Sequence, residues 1–341
     1  MTSRSSSISS SEARRFLLIA GAASLLLVGL VCATTWQGIR QGLVGWSSTQ
    51  LLRYQIAKIE AAPRIDLLLV GDSTLANAVD AEAWSEATGL SVVSVALTGA
   101  YGYEGSLNMV RRALRREQRP HAVLLMQAFD MPTRRISYEG LLYTAERPAD
   151  LAGAEPWKLV EPLANLDLAL AMLDPPRAEA AFRQIERYDY PPQRARPDAG
   201  GPPIEESSPL TADMIRPAKG RFLHRLGRLC AGAGIACIYV QGPYPAEACA
   251  ASADYAAAAR RFVVEAGLVP VDGTPVCLPP GDIGDAEDHV RPERRAHYNP
   301  LPLEPAPAPP GPQWTAAPMR LRASPTAPSR RPSAPRRSPA C

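Results

Sequence analysis

Short apolar runs alternate with amphipathic stretches along most of the chain. Ile65–Val70 (IDLLLV) stops at Gly71 and reads as a buried strand. Asp80–Thr88 has helical character, and Leu90–Leu97 (LSVVSVAL) is a second β-rich run. Glu104–Glu117 sets Leu107, Val110 and Leu114 at helical spacing, and Ala122–Met126 (AVLLM) is a third strand. Beyond Pro148 the alternation loosens. Residues 148–210 are rich in Pro, Ala and charge, with a helical piece over Pro156–Met172 and a loop over Pro191–Pro209. Regularity returns with a helix over Ala212–Ala233, a strand over Gly234–Gln241, a helix over Ser252–Gly267 and a short strand over Leu268–Asp272. Strands that are apolar on both faces, with helices between them, predict an α/β fold: a parallel sheet covered by helices on both sides.

The N-terminus breaks this pattern. Phe16 to Thr35 (FLLIAGAASLLLVGLVCATT) is 20 residues without a charge. At 1.5 Å per residue that crosses a hydrocarbon core of about 30 Å. Arg4, Arg14 and Arg15 precede it and Trp36 ends it, which favours a cytoplasmic N-terminus and an exported body. An uncleaved anchor over residues 16–36 is the preferred expectation. Cleavage near Val31-Cys32-Ala33 is the alternative. The segments expected along the chain are a leader (1–15), the anchor (16–36), a juxtamembrane helix or stalk (37–62), an α/β domain (63–298) and a tail (299–341).

Composition changes the picture mainly at the tail. The chain has 341 residues, 37 basic and 34 acidic side chains, and a formal charge of +3. Pro300–Cys341 holds 13 of the 35 prolines and six arginines against one acid, so the tail carries +5 and the rest −2. A slightly acidic body is not a nucleic-acid binder. The tail reads as a disordered, basic, Pro-rich segment, or as the product of a reading frame lost near residue 299. An apolar fraction of 46% excludes a wholly disordered chain.

Export permits disulfides. Cys249 and Cys277 fall in loops flanking one helix and strand, and are the expected pair. Cys230 faces inward on a helix and Cys237 lies in an apolar strand, so both are expected as buried free thiols. No Cys/His spacing suggests zinc, and no cofactor is expected.

In parallel sheets ligands sit beyond the C-terminal ends of the strands. The first strand runs directly into Gly71-Asp72-Ser73-Thr74, which places a serine hydroxyl there. A serine nucleophile needs a base. Of four histidines, His121 starts a strand at the wrong end of the sheet, His224 lies mid-helix and His297 borders the tail. His289 alone has acids beside it that can orient an imidazole, in Gly284-Asp285-Ala286-Glu287-Asp288-His289.

The run Ile65–Ser73 resembles the first block of the SGNH (GDSL-like) hydrolase superfamily, and the Asp-rich loop with His289 is similar to its closing Asp-x-x-His block. The resemblance spans roughly residues 60–298 and implies a three-layer α/β/α fold with a flavodoxin-like sheet. It implies Ser73 as nucleophile and His289 as base on acyl esters. Gly99, in Leu97-Thr98-Gly99-Ala100-Tyr101-Gly102, matches the oxyanion glycine of the second block, with Gly102 as the alternative.

Two departures stand out. The third block, Gly-x-Asn-Asp in the family, reads Gln127-Ala128-Phe129-Asp130, so Phe129 occupies the oxyanion asparagine's place. Gln127 or Asn108 is the candidate replacement donor, with Asp72 beside the nucleophile on the same substrate-binding side. Ala286 stands three before His289, so Asp285, four before it, is the preferred orienting acid and Asp288 the adjacent one. Arg134 and Arg135 follow the third strand, where they can meet an anionic or sugar substrate, or simply be solvated. The expected function is an anchored, exported esterase or O-acyltransferase acting on acyl esters, foremost acetyl, of envelope or secreted polysaccharide. The alternative is a non-catalytic protein of the same fold that binds glycan or supports a membrane acyltransferase. The expected partners are an acylated glycan and the inner membrane.

Overall fold

A computed structural model of the chain describes residues 10–41, 48–117, 119–163 and 208–298. The expectations for the tail, for residues 191–207 of the loop and for the far half of the Pro156–Met172 helix lie outside the described residues. A four-residue helix, Val160–Leu163, falls within the near half of that stretch.

Helix α1 spans Ser10–Gln41, and within it Ser11–Gln37 is long and apolar enough to cross a membrane, with none of its most apolar window buried. Phe16, Leu17, Leu25 and Leu26 are all exposed. Position and composition suit an anchor or a signal sequence. Near its far end, Trp36 packs against the core of the body.

Helix α2 (Ser48–Ala61) lies within the segment expected as a juxtamembrane helix or stalk, and it is a packed helix. Leu51, Leu52, Gln55 and Ile59 are buried, and Gln55 Nε2 donates to the Ala96 carbonyl at 2.8 Å. A helix with four inward positions at i, i+1, i+4 and i+8 is packed on the sheet rather than standing off it. The α/β body therefore begins at α2, upstream of residue 63.

The sheet follows the apolar runs. Its strands are β1 (Leu67–Gly71), β2 (Val92–Ala96), β3 (Ala122–Gln127) and β4 (Ala236–Gln241). Apart from Ala236 these strands are buried throughout, as a parallel sheet covered on both faces demands. A two-residue strand, Val269–Pro270, closes one edge. It stays short because Pro270 has no N–H to extend the ladder. All pairings in this sheet are parallel. In chain order the strands lie 2-1-3-4-5, so the order reverses between β1 and β3.

Helices flank the sheet. After β1 come α3 (Ser73–Ala78) and α4 (Ala81–Thr88). Asp80 caps α4 by accepting from Ala83 N at 3.0 Å, and Gly89 ends it in the left-handed region at φ 69°. Helix α5 (Gly102–Leu114) follows β2, and α6 (Tyr138–Thr144) lies beyond β3. With Val160–Leu163 as α7, the next helix among the described residues is α8 (Pro217–Ala233), which opens on Pro217 at its first turn and ends at Gly234. Helices α9 (Ala246–Ala251) and α10 (Ala253–Glu265) complete the set before the last loop. Leu52, Leu68, Val70, Leu107, Val110, Phe222 and Leu226 belong to one continuous apolar core between α2, α5, α8 and the sheet.

The cysteines correct one expectation. Cys249 and Cys277 form a disulfide that closes a separation of 28 residues, with a Cα–Cα distance of 5.7 Å. Cys230 and Cys237, expected as free thiols, form a second, with a Cα–Cα distance of 6.1 Å. Gly234 reverses the chain at the end of α8, and β4 starts two residues later. That tight turn brings the inward face of α8 onto the inward face of β4. Each thiol was correctly expected to face the core, and for that reason they meet.

Candidate active site

Glycine is required where β1 ends. A Cβ on Gly71 would lie 2.0 Å from the Met126 carbonyl oxygen and 2.8 Å from Leu75 Cβ. The chain then turns directly into α3, with Asp72 as its cap. The Asp72 carboxylate accepts from Thr74 N at 3.0 Å and from Ala128 N at 2.9 Å. It thereby ties the end of β1 to the end of β3, across the point where strand order reverses. Ligand crevices in doubly wound sheets form at such a point.

Asp72 is 1% exposed. Burial first, and then the nearby Asp288 carboxylate, raise its pKa to about 6 against the opposing pull of Ala128 N–H and Arg134. Ser73, half-buried, is the first residue of α3. Its backbone N–H, like that of Gly99 at the head of the Gly99–Tyr101 turn, lies where no intrahelical acceptor exists.

His289 approaches from the far end of the chain. Its loop is pinned by an antiparallel bridge between Ile283 and Val290 and by Gly284 N donating to the His289 carbonyl at 2.7 Å. Nδ1 of the imidazole lies 2.7 Å from Asp285 Oδ1. Nε2 lies 3.7 Å from Asp288 Oδ1. The other oxygen of Asp288 accepts from Thr74 Oγ1 at 2.6 Å, across 214 residues of sequence. So the loop carrying His289 is fastened to the residue after Ser73. Arg295 Nε, donating to the Asn77 carbonyl at 3.2 Å, adds a second tie to α3. Ser73 Oγ itself makes no hydrogen bond to His289.

Of the two neighbouring acids, Asp285 meets Nδ1, and Asp288 flanks Nε2 while bonding Thr74. No sequence motif signals the Thr74–Asp288 bond.

Gly99 lies near Asp72. A Cβ built on Gly99 would be 3.9 Å from Asp72 Oδ2 and 2.7 Å from Arg134 Nη1. Gly102, the alternative, has a different role. Its φ is +54°, and a Cβ there would meet Glu104 Oε2 at 2.6 Å and Lys219 Nζ at 3.0 Å. Glu104 and Lys219 form an ion pair with both side chains at most 1% exposed. Burial pushes Glu104 up and Lys219 down, and each resists through the other's charge. Gly102 makes room for that pair.

The two amide candidates are committed elsewhere. Asn108 Nδ2 donates to the Leu141 carbonyl and to Thr144 Oγ1, each at 3.0 Å, so both its protons are used in holding α6 against α5. This corrects its expected place in the substrate-binding set. Gln127 Nε2 donates to Ser106 Oγ at 2.7 Å. Phe129 turns its ring into an aromatic cluster, 4.9 Å from Tyr255 and 5.1 Å from Tyr244, and its carbonyl accepts from Tyr255 Oη. Phe129 is therefore a packing residue.

Arg134 comes from the β3 loop instead. Asp130 grips it through Nε at 2.9 Å and Nη2 at 2.7 Å. Burial works against its charge, but Asp130, Asp72 and Asp288 together raise its pKa, and it stays a cation. Arg134 also lines a cleft of about 730 Å3 with Tyr138, Lys158, Arg216 and Lys219. Among the described residues no group of His, Cys, Asp and Glu has the geometry to hold a metal ion.

Together these features define an α/β protein with a five-stranded parallel sheet and a polar cluster at its strand-order reversal. Comparison with family models, curated proteins and solved structures finds no match to the chain.

Proposed function

We propose that the chain is an exported, membrane-anchored serine esterase or O-acyltransferase of SGNH type. Its substrates are acyl esters, foremost acetyl, of cell-envelope or secreted polysaccharide. The observation that supports this reading is the Thr74–Asp288 hydrogen bond, which fastens the loop carrying Asp285 and His289 to the residue after Ser73. Helix α1 supplies the anchor, with its arginine-flanked end cytoplasmic, and the two disulfides suit an oxidising compartment.

Ser73 Oγ attacks the acyl carbonyl carbon while His289 Nε2 takes its proton. The carbonyl π pair moves to oxygen, and the N–H groups of Ser73 and Gly99 receive the oxyanion. When the pair returns, the sugar alkoxide leaves with the proton from Nε2, and an acyl-serine remains. Water or a second sugar hydroxyl repeats the sequence in reverse. Asp285 holds the imidazole so that Nε2 is free to act. Closing the Ser73–His289 hydrogen bond requires Nε2 to swing from Asp288 toward Oγ, a shift that substrate binding commonly brings.

A second reading has its own support. Phe129 stands where an oxyanion donor is expected, and Nε2 faces a carboxylate. Under that reading the protein binds glycan, or supports a membrane acyltransferase, without catalysis. Hydrolysis of 4-nitrophenyl acetate and acetylation of surface glycan separate the two. The enzyme loses both with Ser73→Ala. A scaffold hydrolyses nothing and keeps normal glycan acetylation when Ser73 is replaced.

A further inference from the structure

We propose that Arg134 is the oxyanion donor this chain uses in place of the missing asparagine. The inference rests on the acyl-transfer reading of Ser73. A donor is needed on the β3 side of Ser73, opposite Gly99 on the β2 side. Phe129 cannot supply one, because its ring is buried against Tyr244 and Tyr255. Asn108 and Gln127 donate elsewhere.

The Arg134 guanidinium reaches across from the β3 loop into the space that the absent Gly99 side chain leaves, with Nη1 2.7 Å from the position of a Cβ there. Asp72 Oδ2 lies 3.9 Å from the same point, and Ser73 is the next residue. Asp130 holds Nε and Nη2, which fixes the plane of the guanidinium. Nη1 has no hydrogen-bond partner among the described residues. It is therefore a fixed, charged donor, aimed over Gly99 with its protons unspent. Preorganised donors of this kind stabilise developing charge without reorganising. As the Ser73 Oγ–carbon bond forms and the π pair moves to oxygen, Nη1 donates a hydrogen bond to that oxygen. Arg134 stays protonated throughout, so the proton balance between Ser73 and His289 is unchanged. Gly99 then has a defined purpose: any side chain there displaces the guanidinium.

The test is steady-state hydrolysis of 4-nitrophenyl acetate by the full-length protein. Arg134→Gln is expected to lower kcat by about 100- to 1000-fold, the loss typical of one oxyanion donor, with KM nearly unchanged. Gly99→Ala has no left-handed backbone to strain, so it should keep its unfolding midpoint yet lose rate. Added guanidinium should restore part of the rate to Arg134→Ala and none to Ser73→Ala. The Gly99→Ala/Arg134→Gln double variant should fall no further than Arg134→Gln alone. Full activity in Arg134→Gln, or losses that multiply in the double variant, would overturn the assignment to Arg134. Absence of Ser73-dependent turnover in the wild type is a different failure: it defeats the acyl-transfer reading itself, and the role of Arg134 with it.

Discussion

The candidate site has two halves built in different ways. The Asp72–Ser73–Thr74 half grows out of the sheet. Its register is set by the pairing of Gly71 with Ala96 on one side and Met126 on the other. Asp72 is buried, and both its contacts are to backbone N–H groups of neighbouring elements. The His289 half is a surface loop, with Asp285 40% exposed. It is closed on itself and fastened to the sheet through single polar bonds. The difference separates position from reactivity. The sheet half is held by many contacts that do not depend on chemistry at Ser73. The loop half depends for its alignment on two long-range hydrogen bonds to α3, Thr74–Asp288 and Arg295–Asn77.

Substitutions can break that contrast, and they should differ in size. The largest loss is expected beneath the sheet half. Lys219→Met leaves Glu104 buried and unpaired, which should cost about 3–5 kcal/mol in urea unfolding. Adding Glu104→Leu should recover most of it, because the uncompensated charge is then gone. Next comes the covalent tie on the approach to the loop half. Cys249→Ser with Cys277→Ser opens a 28-residue loop and should cost about 3–4 kcal/mol by chain entropy. Asp72→Ala strands the Ala128 and Thr74 N–H groups and should cost about 1–3 kcal/mol. Asp285→Asn should change stability by less than about 0.5 kcal/mol, since the side chain is exposed. It should still lower ester hydrolysis roughly tenfold, because the imidazolium formed during proton transfer loses the carboxylate charge that steadies it. Stability moved by the sheet half and rate moved by the loop half is the expected pattern. Equal effects from both would dissolve the distinction.

A pH series sharpens it further. Asp72 titrates near 6 in the folded chain and near 3.8 when unfolded. Between those values the native state still holds a proton that the unfolded state has lost. Stability from this group is therefore greatest at low pH and declines as pH rises from about 4 to about 6. Asp72→Asn should remove that decline when unfolding free energies are compared across the window. A parallel decline in both proteins would place its origin elsewhere.

Much of the sheet was legible in the sequence. Leu67–Gly71, Val92–Ala96 and Ala122–Gln127 fall within two residues of the apolar runs that predicted them. Continuous burial leaves so strong a pattern that a strand is hard to miss. Gly89 and Gly234 end their helices in the left-handed conformation, directly after the expected helix boundaries at Thr88 and Ala233. What was not legible depends on contacts between distant segments. Cys230 and Cys237 each looked buried, but only the reversal at Gly234 shows that they face one another. Asn108 looked available because its helix runs beside the site, yet α6 takes both its protons. The Thr74–Asp288 bond spans 214 residues and has no motif. Arg134 stood out as a basic residue after the third strand, but its reach to Gly99 depends on the Asp130 grip and on a missing Cβ. In α2, the inward positions at Leu51, Leu52, Gln55 and Ile59 carry a helical period. Which face of that helix packs, and against what, is set by the distant β2, where Gln55 reaches the Ala96 carbonyl.

The most direct test of Ser73 as a nucleophile is covalent. The folded, disulfide-bonded protein is treated with a fluorophosphonate and the modified peptide is mapped by mass spectrometry. The expected result is a single adduct on Ser73, absent in Ser73→Ala and in His289→Ala. Folded wild-type protein that takes up no label, or a label that persists in Ser73→Ala, would contradict it.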